Sequence, residues 1–430
     1  MSSTNRFLSV VCVVSSLALS AADAQAQVAS QLVPLASARQ AQLETVWSTA
    51  LRVDPARGRV QSIRFHSNLV FAQTSSGIVQ AIDGETGRTY WTTEVGSSNM
   101  ETTPPSINDK YVAVTNGSNL YVLSRATGSI LYVQRVGGAP SAGTAVSETD
   151  VIVPLATGIL EAYKLKRERV LDQIPQRFTG NGSPSVAPIV VGNRTIWSTP
   201  QGFVFSREIS KTIAQFRFRL DDNVDAPPAY MGPYVYAASR SGRVYAIQEE
   251  KGTEVWQFPT ENTISEPIVT IDGRLLVVTE KAEMFRLDPR VGSQMWYTPD
   301  VARFLAVSVN RIYALDSQGR IVVLDANTGS KLTAVPTSGR FDVETFNTQT
   351  DRVYLCDSSG LLQCLRERRE TDQHPEWAKP IYHTRGYAIP PVKKAVPGAP
   401  AEGTPAADGT APADGTTPAA PAGGANPFGT

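Results

Sequence analysis

Short runs of alternating apolar and polar residues recur along most of this chain, and few are longer than a single strand. Residues 234–256 read YVYAASRSGRVYAIQEEKGTEVW, residues 69–91 read LVFAQTSSGIVQAIDGETGRTYW, and residues 311–332 read RIYALDSQGRIVVLDANTGSKL. In each, two alternating runs flank a Ser/Gly turn, the pattern of a tight β-hairpin. A second turn ending in Gly follows, then a third short strand that often ends in Trp.

The unit repeats at a fixed period, which outweighs every other signal in the sequence. Taking the hairpin turn as the anchor gives Gly77, Ser118, Gly158, Gly202, Gly242, Ala282, Gly319 and Gly360, at intervals of 37 to 44 residues. A recurring proline precedes one further strand: Pro105, Pro140, Pro188, Pro228 and Pro267. At the start of a strand, proline removes no ladder hydrogen bond. Four strands plus turns fill about forty residues. Eight such sheets predict an all-β, eight-bladed propeller of four-stranded antiparallel blades. The eighth unit has no good outer strand after Arg369, whereas residues 43–51, LETVWSTAL, resemble the Trp-bearing outer strand of other units. The expectation is that this N-terminal strand closes the last blade and hides its edge. Trp47, Trp91, Trp256 and Trp296 recur with the period, so they are read as framework that packs across blade boundaries.

The ends differ from the repeat. Residues 1–26 have a short positive start, an apolar stretch over 7–21 and small residues at Ala24 and Ala26, the pattern of a secretory signal peptide. Cys12 lies inside the apolar stretch behind Val10 and Val11, which argues against lipid attachment. Residues 27–42 are read as an N-terminal extension, 43–390 as the propeller, and 391–430 as a disordered tail rich in Ala, Pro and Gly. The chain is thus expected to be exported, periplasmic or secreted, monomeric and without a transmembrane segment once the signal is removed. With 40 Lys+Arg against 40 Asp+Glu, net charge gives no reason to expect nucleic acid as a partner.

Residues 265–296, SEPIVTIDGRLLVVTEKAEMFRLDPRVGSQMW, resemble the repeat of the pyrroloquinoline-quinone (PQQ) propeller family, whose consensus runs S-P-V, V-Y-V-G-S, L-Y-A-L-D, T-G, W. The resemblance covers residues 43–369. One branch of that family, the quinoprotein dehydrogenases, binds PQQ and calcium. The smaller branch is similar to BamB, a scaffold of outer-membrane protein assembly without a cofactor. Length and blade number favour the second branch. The expected function is therefore a non-catalytic scaffold that binds one or more envelope proteins. A PQQ- and calcium-dependent dehydrogenase and a carbohydrate or envelope binding module are the alternatives.

Little chemistry competes with this reading, and no catalytic, metal or cofactor residue is assigned. There is no adjacent Cys–Cys pair. Asp221, Asn223 and Asp225 have the spacing of a calcium loop, but Ala226 and Gly232 stand where an EF-hand needs Gly and Glu. His66, His374 and His383 lack metal-ligand spacing. The basic run Lys164, Lys166, Arg167 and Arg169 reads as a solvated outer turn. Cys356 and Cys364 flank Gly360 symmetrically, which leaves open both a cross-strand disulfide and two small packing residues, as at Ala238 and Ala246. For a partner surface, residues 172–187 read as the longest interblade connection, with Arg177 and Phe178 as contact residues and Asp221, Asp222 and Asp225 as a polar rim.

Overall fold

The computed structural model describes residues 31–54, 58–168, 170–211, 214–338, 341, 343–368 and 379–383. The signal segment, His374, Arg169 and the Ala/Pro/Gly tail lie outside the described residues.

Seven four-stranded antiparallel sheets follow one another along the chain, spanning residues 60–94, 106–135, 145–179, 189–219, 229–259, 269–299 and 303–335 (blades 1 to 7). Within each, consecutive strands are hydrogen-bonded neighbours, as hairpin-rich sequence dictates. The eighth sheet joins Val353–Cys356 and Leu361–Glu367 to the N-terminal strand Leu43–Ala50. The fold is an eight-bladed propeller closed by its first strand. Closure is antiparallel, from Leu43 opposite Glu367 to Ala50 opposite Leu361, with a bulge between Thr45 and Trp47. Among the described residues, blade 8 has no separate innermost strand; Thr345 Oγ1 instead donates to the Tyr354 carbonyl, 2.6 Å away.

The alternation expected from the sequence is corrected in the middle strands, which are buried along almost their whole length because each sheet is packed on both faces. Val112, Ala113 and Val114 of blade 2 are all fully buried, as are Val235 to Ala238 of blade 5. The cores therefore sit between blades, one per junction, and each is filled by both neighbours.

The framework aromatics span these junctions. Trp47 Nε1 donates to the Gly84 carbonyl (3.0 Å), Trp91 to Arg125 (2.9 Å), Trp256 to Pro289 (3.1 Å) and Trp296 to Ala326 (3.4 Å), each time reaching the next blade. Each indole thereby buries its rings and satisfies its only donor. Phe216 holds the same strand position in blade 4, opposite Ser206. In blade 2 the aromatic is Tyr132, whose hydroxyl donates to the Lys164 carbonyl at 3.0 Å. The Arg167 guanidinium stands 3.6 Å from that ring, so one member of the basic run is packed rather than solvated.

Blade 7 carries Thr333 at this position, and the N-terminal extension supplies the missing bulk. Leu32, Val33 and Ala38 are buried against Tyr313 and Val335 of blade 7 and Leu355 of blade 8. Ala38 belongs to a short helix, Leu35–Gln40. The Ser338 N–H donates to the Leu32 carbonyl (2.8 Å) and the Val33 N–H to Gln363 Oε1 (2.9 Å). At the other end, His383 Nε2 donates to the Val307 carbonyl (2.8 Å).

Two expectations need correction. The blade 2 anchor is Gly117, not Ser118: Gly117 has the left-handed φ of +55° that its hairpin turn requires. Cys356 and Cys364 do not face each other. The hairpin is centred on Ser359, so Cys356 pairs with Leu362 and Cys364 with Tyr354. A diagonal offset of that kind is too wide for a disulfide, and both thiols are free and buried.

Candidate functional site

Antiparallel order fixes the two faces of the ring. Turns joining first to second and third to fourth strands emerge on one face. The central hairpins and the interblade connections emerge on the other. The connections converge on the central channel, where a cavity of about 660 Å³ is bounded by Pro105, Pro140, Pro188 and Pro267, with Arg64 and Glu344 among the charged groups. Four of the five periodic prolines thus line the channel, where a residue without an N–H leaves no donor unsatisfied.

The charges around the channel are compensated. Burial lowers the pKa of the Arg64 guanidinium, while Glu344 acts in the opposite direction. Burial raises the Glu266 carboxyl above its ordinary value against the pull of Arg303, which lies 3.8 Å away. Nothing in the repeat pattern singles these four out. Their signal is position alone, since Glu266 immediately precedes a channel proline. Among the described residues, no group of three His, Cys, Asp or Glu side chains could hold a metal ion.

The expected partner surface changes on inspection. Residues 172–187 are not one connection: they contain the outer strand of blade 3, Gln176–Thr179. The extra length of this unit lies instead between Lys164 and Gln176, in the turn from third to fourth strand, on the face opposite the hairpins. Phe178 is buried and packs on Trp197, with ring centroids 5.6 Å apart, so it belongs to the junction core. Arg177 is exposed but tethered, its Nε donating to Glu161 at 2.8 Å. Burial raises the pKa of Glu161, but donation from Tyr163, the Gly137 N–H and Arg177 outweighs it and holds the carboxylate low. Glu161 is thus a structural hub for three chain segments.

Asp221, Asp222 and Asp225 do lie together, in the connection from blade 4 to blade 5. They are tied to the blade 5 hairpin: Ser241 donates to Asp221 at 2.8 Å, Arg243 lies 3.4 Å from Asp221, and Arg240 lies 3.8 Å from Asp225. Asp222 is exposed, and its Oδ1 accepts from the Asn223 N–H. The cluster is a mixed acid–base rim beside the channel mouth.

Comparison with known proteins places this geometry. The model of the family described as outer membrane protein assembly factor BamB matches residues 35–217 and again 194–396. BamB of Yersinia pestis is 24% identical over 254 residues, covering 54% of this chain and 64% of that protein. BamB of Shewanella oneidensis is 22% identical over 263 residues, covering 56% and 65%. The chain therefore spans just under two thirds of the length of these relatives. Among solved structures, BamB from Moraxella catarrhalis superposes with a TM-score of 0.61 at 17% identity, covering 75% of this chain and 99% of that one. The computationally designed Ika8 protein superposes at 0.60 and 16% identity, covering 73% and 97%.

Proposed function

The chain belongs to the family of the outer membrane protein assembly factor BamB, and from that premise we propose that it is a non-catalytic, periplasmic protein-interaction scaffold acting in outer-membrane protein assembly. The observation that carries the proposal is the double match of the family model, which together runs from residue 35 to 396 and so includes every blade of the ring. Physical support comes from the frame. Cores shared between neighbours make the ring rigid, so its interblade connections are presented at fixed spacing and lose little entropy on docking.

The partner surface we assign is the connection from blade 4 to blade 5, with exposed Asp222 and with Asp221, Asp225, Arg240 and Arg243 as the rim, and Arg177 on the outer strand of blade 3. Phe178 is no longer part of it, because it is core. Rim charges of this kind set encounter rate and orientation more than final affinity.

A photo-crosslinker placed at Asp222, in the full exported protein in its native envelope, tests the role. The expected product joins the chain to an outer-membrane assembly component. Crosslinks confined to other proteins overturn the role, and crosslinks that appear only from the opposite face overturn the surface.

A further inference from the structure

The junction between blades 3 and 4 breaks a rule that the rest of the ring obeys. At one position of each middle-strand pair, seven blades set two buried apolar residues opposite each other, among them Val70 with Ile82, Val112 with Leu123, Leu275 with Leu287 and Ile312 with Leu324. Blade 4 has Thr195 opposite Arg207. On the facing blade, Gln176 stands where Trp91 or Trp256 would be, opposite Ala162. Arg207 lines a crevice between the two blades, beside Phe178 and Thr179 of the strand that carries Gln176.

Arg207 is 1% exposed. Its Nε donates to the Lys211 carbonyl, but among the described residues neither Nη1 nor Nη2 has an acceptor. Among the described residues no carboxylate forms an ion pair with it, and burial lowers its pKa. Thr195 Oγ1 and Trp197 Nε1 are likewise buried and unpartnered. A cavity of about 230 Å³ runs between Arg207, Trp197, Phe178 and the exposed Arg177 and Thr179. A buried cation without a counter-charge is costly, and nothing in the repeat requires one here.

We propose that this crevice is a carboxylate-binding pocket with Arg207 as its receptor. The Phe178 ring lies 3.8 Å from the guanidinium carbon and covers one face. Nη1 and Nη2 are the donors left, and both are closed to solvent. A ligand therefore meets this edge only as the side chain shifts toward the cavity, and the edge suits a planar carboxylate that accepts two parallel hydrogen bonds. The unpartnered indole N–H of Trp197, which lines the same cavity, supplies a further donor. The volume equals that of about eight waters, enough for an acidic side chain or a small free acid. The pocket belongs to the blade junction and does not depend on the scaffold role.

Thermal melts of the full chain in sodium acetate and in sodium chloride, at equal concentration and pH, test it. Acetate is expected to raise the melting temperature by about 2 °C. Arg207→Leu, which restores the residue type of the other blades, is expected to fold and to lose the acetate response. An equal response in the variant, or none in the wild type, overturns the pocket. A response to inorganic phosphate but not to acetate overturns the carboxylate assignment. An Asp-rich peptide with an amidated C-terminus distinguishes the sources. Saturation at far lower carboxylate concentration than acetate supports an acidic polypeptide segment, and equal saturation supports a free acid.

Discussion

The indole of Trp47 occupies the space that a side chain at Gly87 would need: a Cβ there would stand 2.6 Å from Cδ2 and Cε3 of the ring. The relationship recurs between Trp91 and Gly128, Phe216 and Gly252, Trp256 and Gly292, and Trp296 and Gly329, always with the aromatic from one blade and the glycine from the next. Each of these glycines also has a left-handed backbone, so two independent constraints exclude other residues.

The two constraints separate by mutation. Gly273 has φ of +72° with nothing within 4 Å of a new Cβ, whereas Gly292 has φ of +71° with Trp256 at 2.5 Å. Gly273→Ala is expected to cost about 1 kcal/mol from the backbone alone. Gly292→Ala adds overpacking, for a total of about 3 kcal/mol. Chemical denaturation of both variants checks this, and equal losses would mean that the indole moves aside freely.

Ala282 is the hairpin anchor that is not glycine. It adopts φ of +58°, where the equivalent Gly242 has +84°. Ala282→Gly is expected to stabilise the protein by about 0.5–1 kcal/mol, because the native turn no longer carries Cβ strain. A lower midpoint in denaturant would show that the Ala282 methyl contributes more by packing than it costs in strain.

Closure by the first strand predicts unequal truncations. Removing residues 43–51 strips a ladder that pairs seven residues of Leu43–Ala50 with blade 8 and exposes Leu362 and Cys364. It is expected to abolish cooperative unfolding or to lower the melting temperature by more than 10 °C, on the order of several kcal/mol of lost burial. Removing residues 397–430 is expected to leave the melt unchanged. Matched melts of the two truncations decide it.

The buried thiols predict an alkaline sensitivity. Burial pushes the pKa of both Cys356 and Cys364 well above that of a free thiol. A group raised in the fold contributes its full stability below the unfolded pKa and loses it as pH rises. Each thiol should therefore cost about 1.4 kcal/mol per pH unit above about pH 8.5. Replacing both with Ala, the residue of blade 5 at these positions, is expected to flatten the stability profile between pH 9 and 11. A profile unchanged by the replacement would assign the alkaline loss to other groups.

Fold and closure were legible because the determinants repeat. Trp47 in LETVWSTAL could be matched to Trp91 and Trp256, and counting did the rest. The partner surface was less legible. Gln176 replaces the aromatic that marks the outer strand in six other blades, so residues 176–179 read as loop, and Phe178 passed for a surface anchor although it pairs with Leu160 inside the sheet. For Cys356 and Cys364 the sequence left the disulfide and the packing reading both open, because the outcome turns on a shift of one residue in the hairpin centre, which converts opposition into a diagonal. Arg207 carries no sequence signal beyond a charge at an apolar position of the repeat, and the lack of acceptors at its Nη1 and Nη2 among the described residues is a property of the folded junction.

Joining the two chain ends within one blade also decides how the ring yields to tension. Leu43 and Glu367 form the terminal rung of an antiparallel pair, so both strands leave the sheet at the same edge. A pull on the two ends, once the tethers at Leu32 and Val33 and at Ile381 and His383 have given, loads that rung first and then each successor in turn. The hydrogen bonds never share the force. Glu44 and Arg366, 322 positions apart in sequence, would part early, like teeth of a zip. A ring closed by a full antiparallel ladder is therefore opened rung by rung from its own termini, and a partner that grips one end of the chain pulls on the closing strand directly.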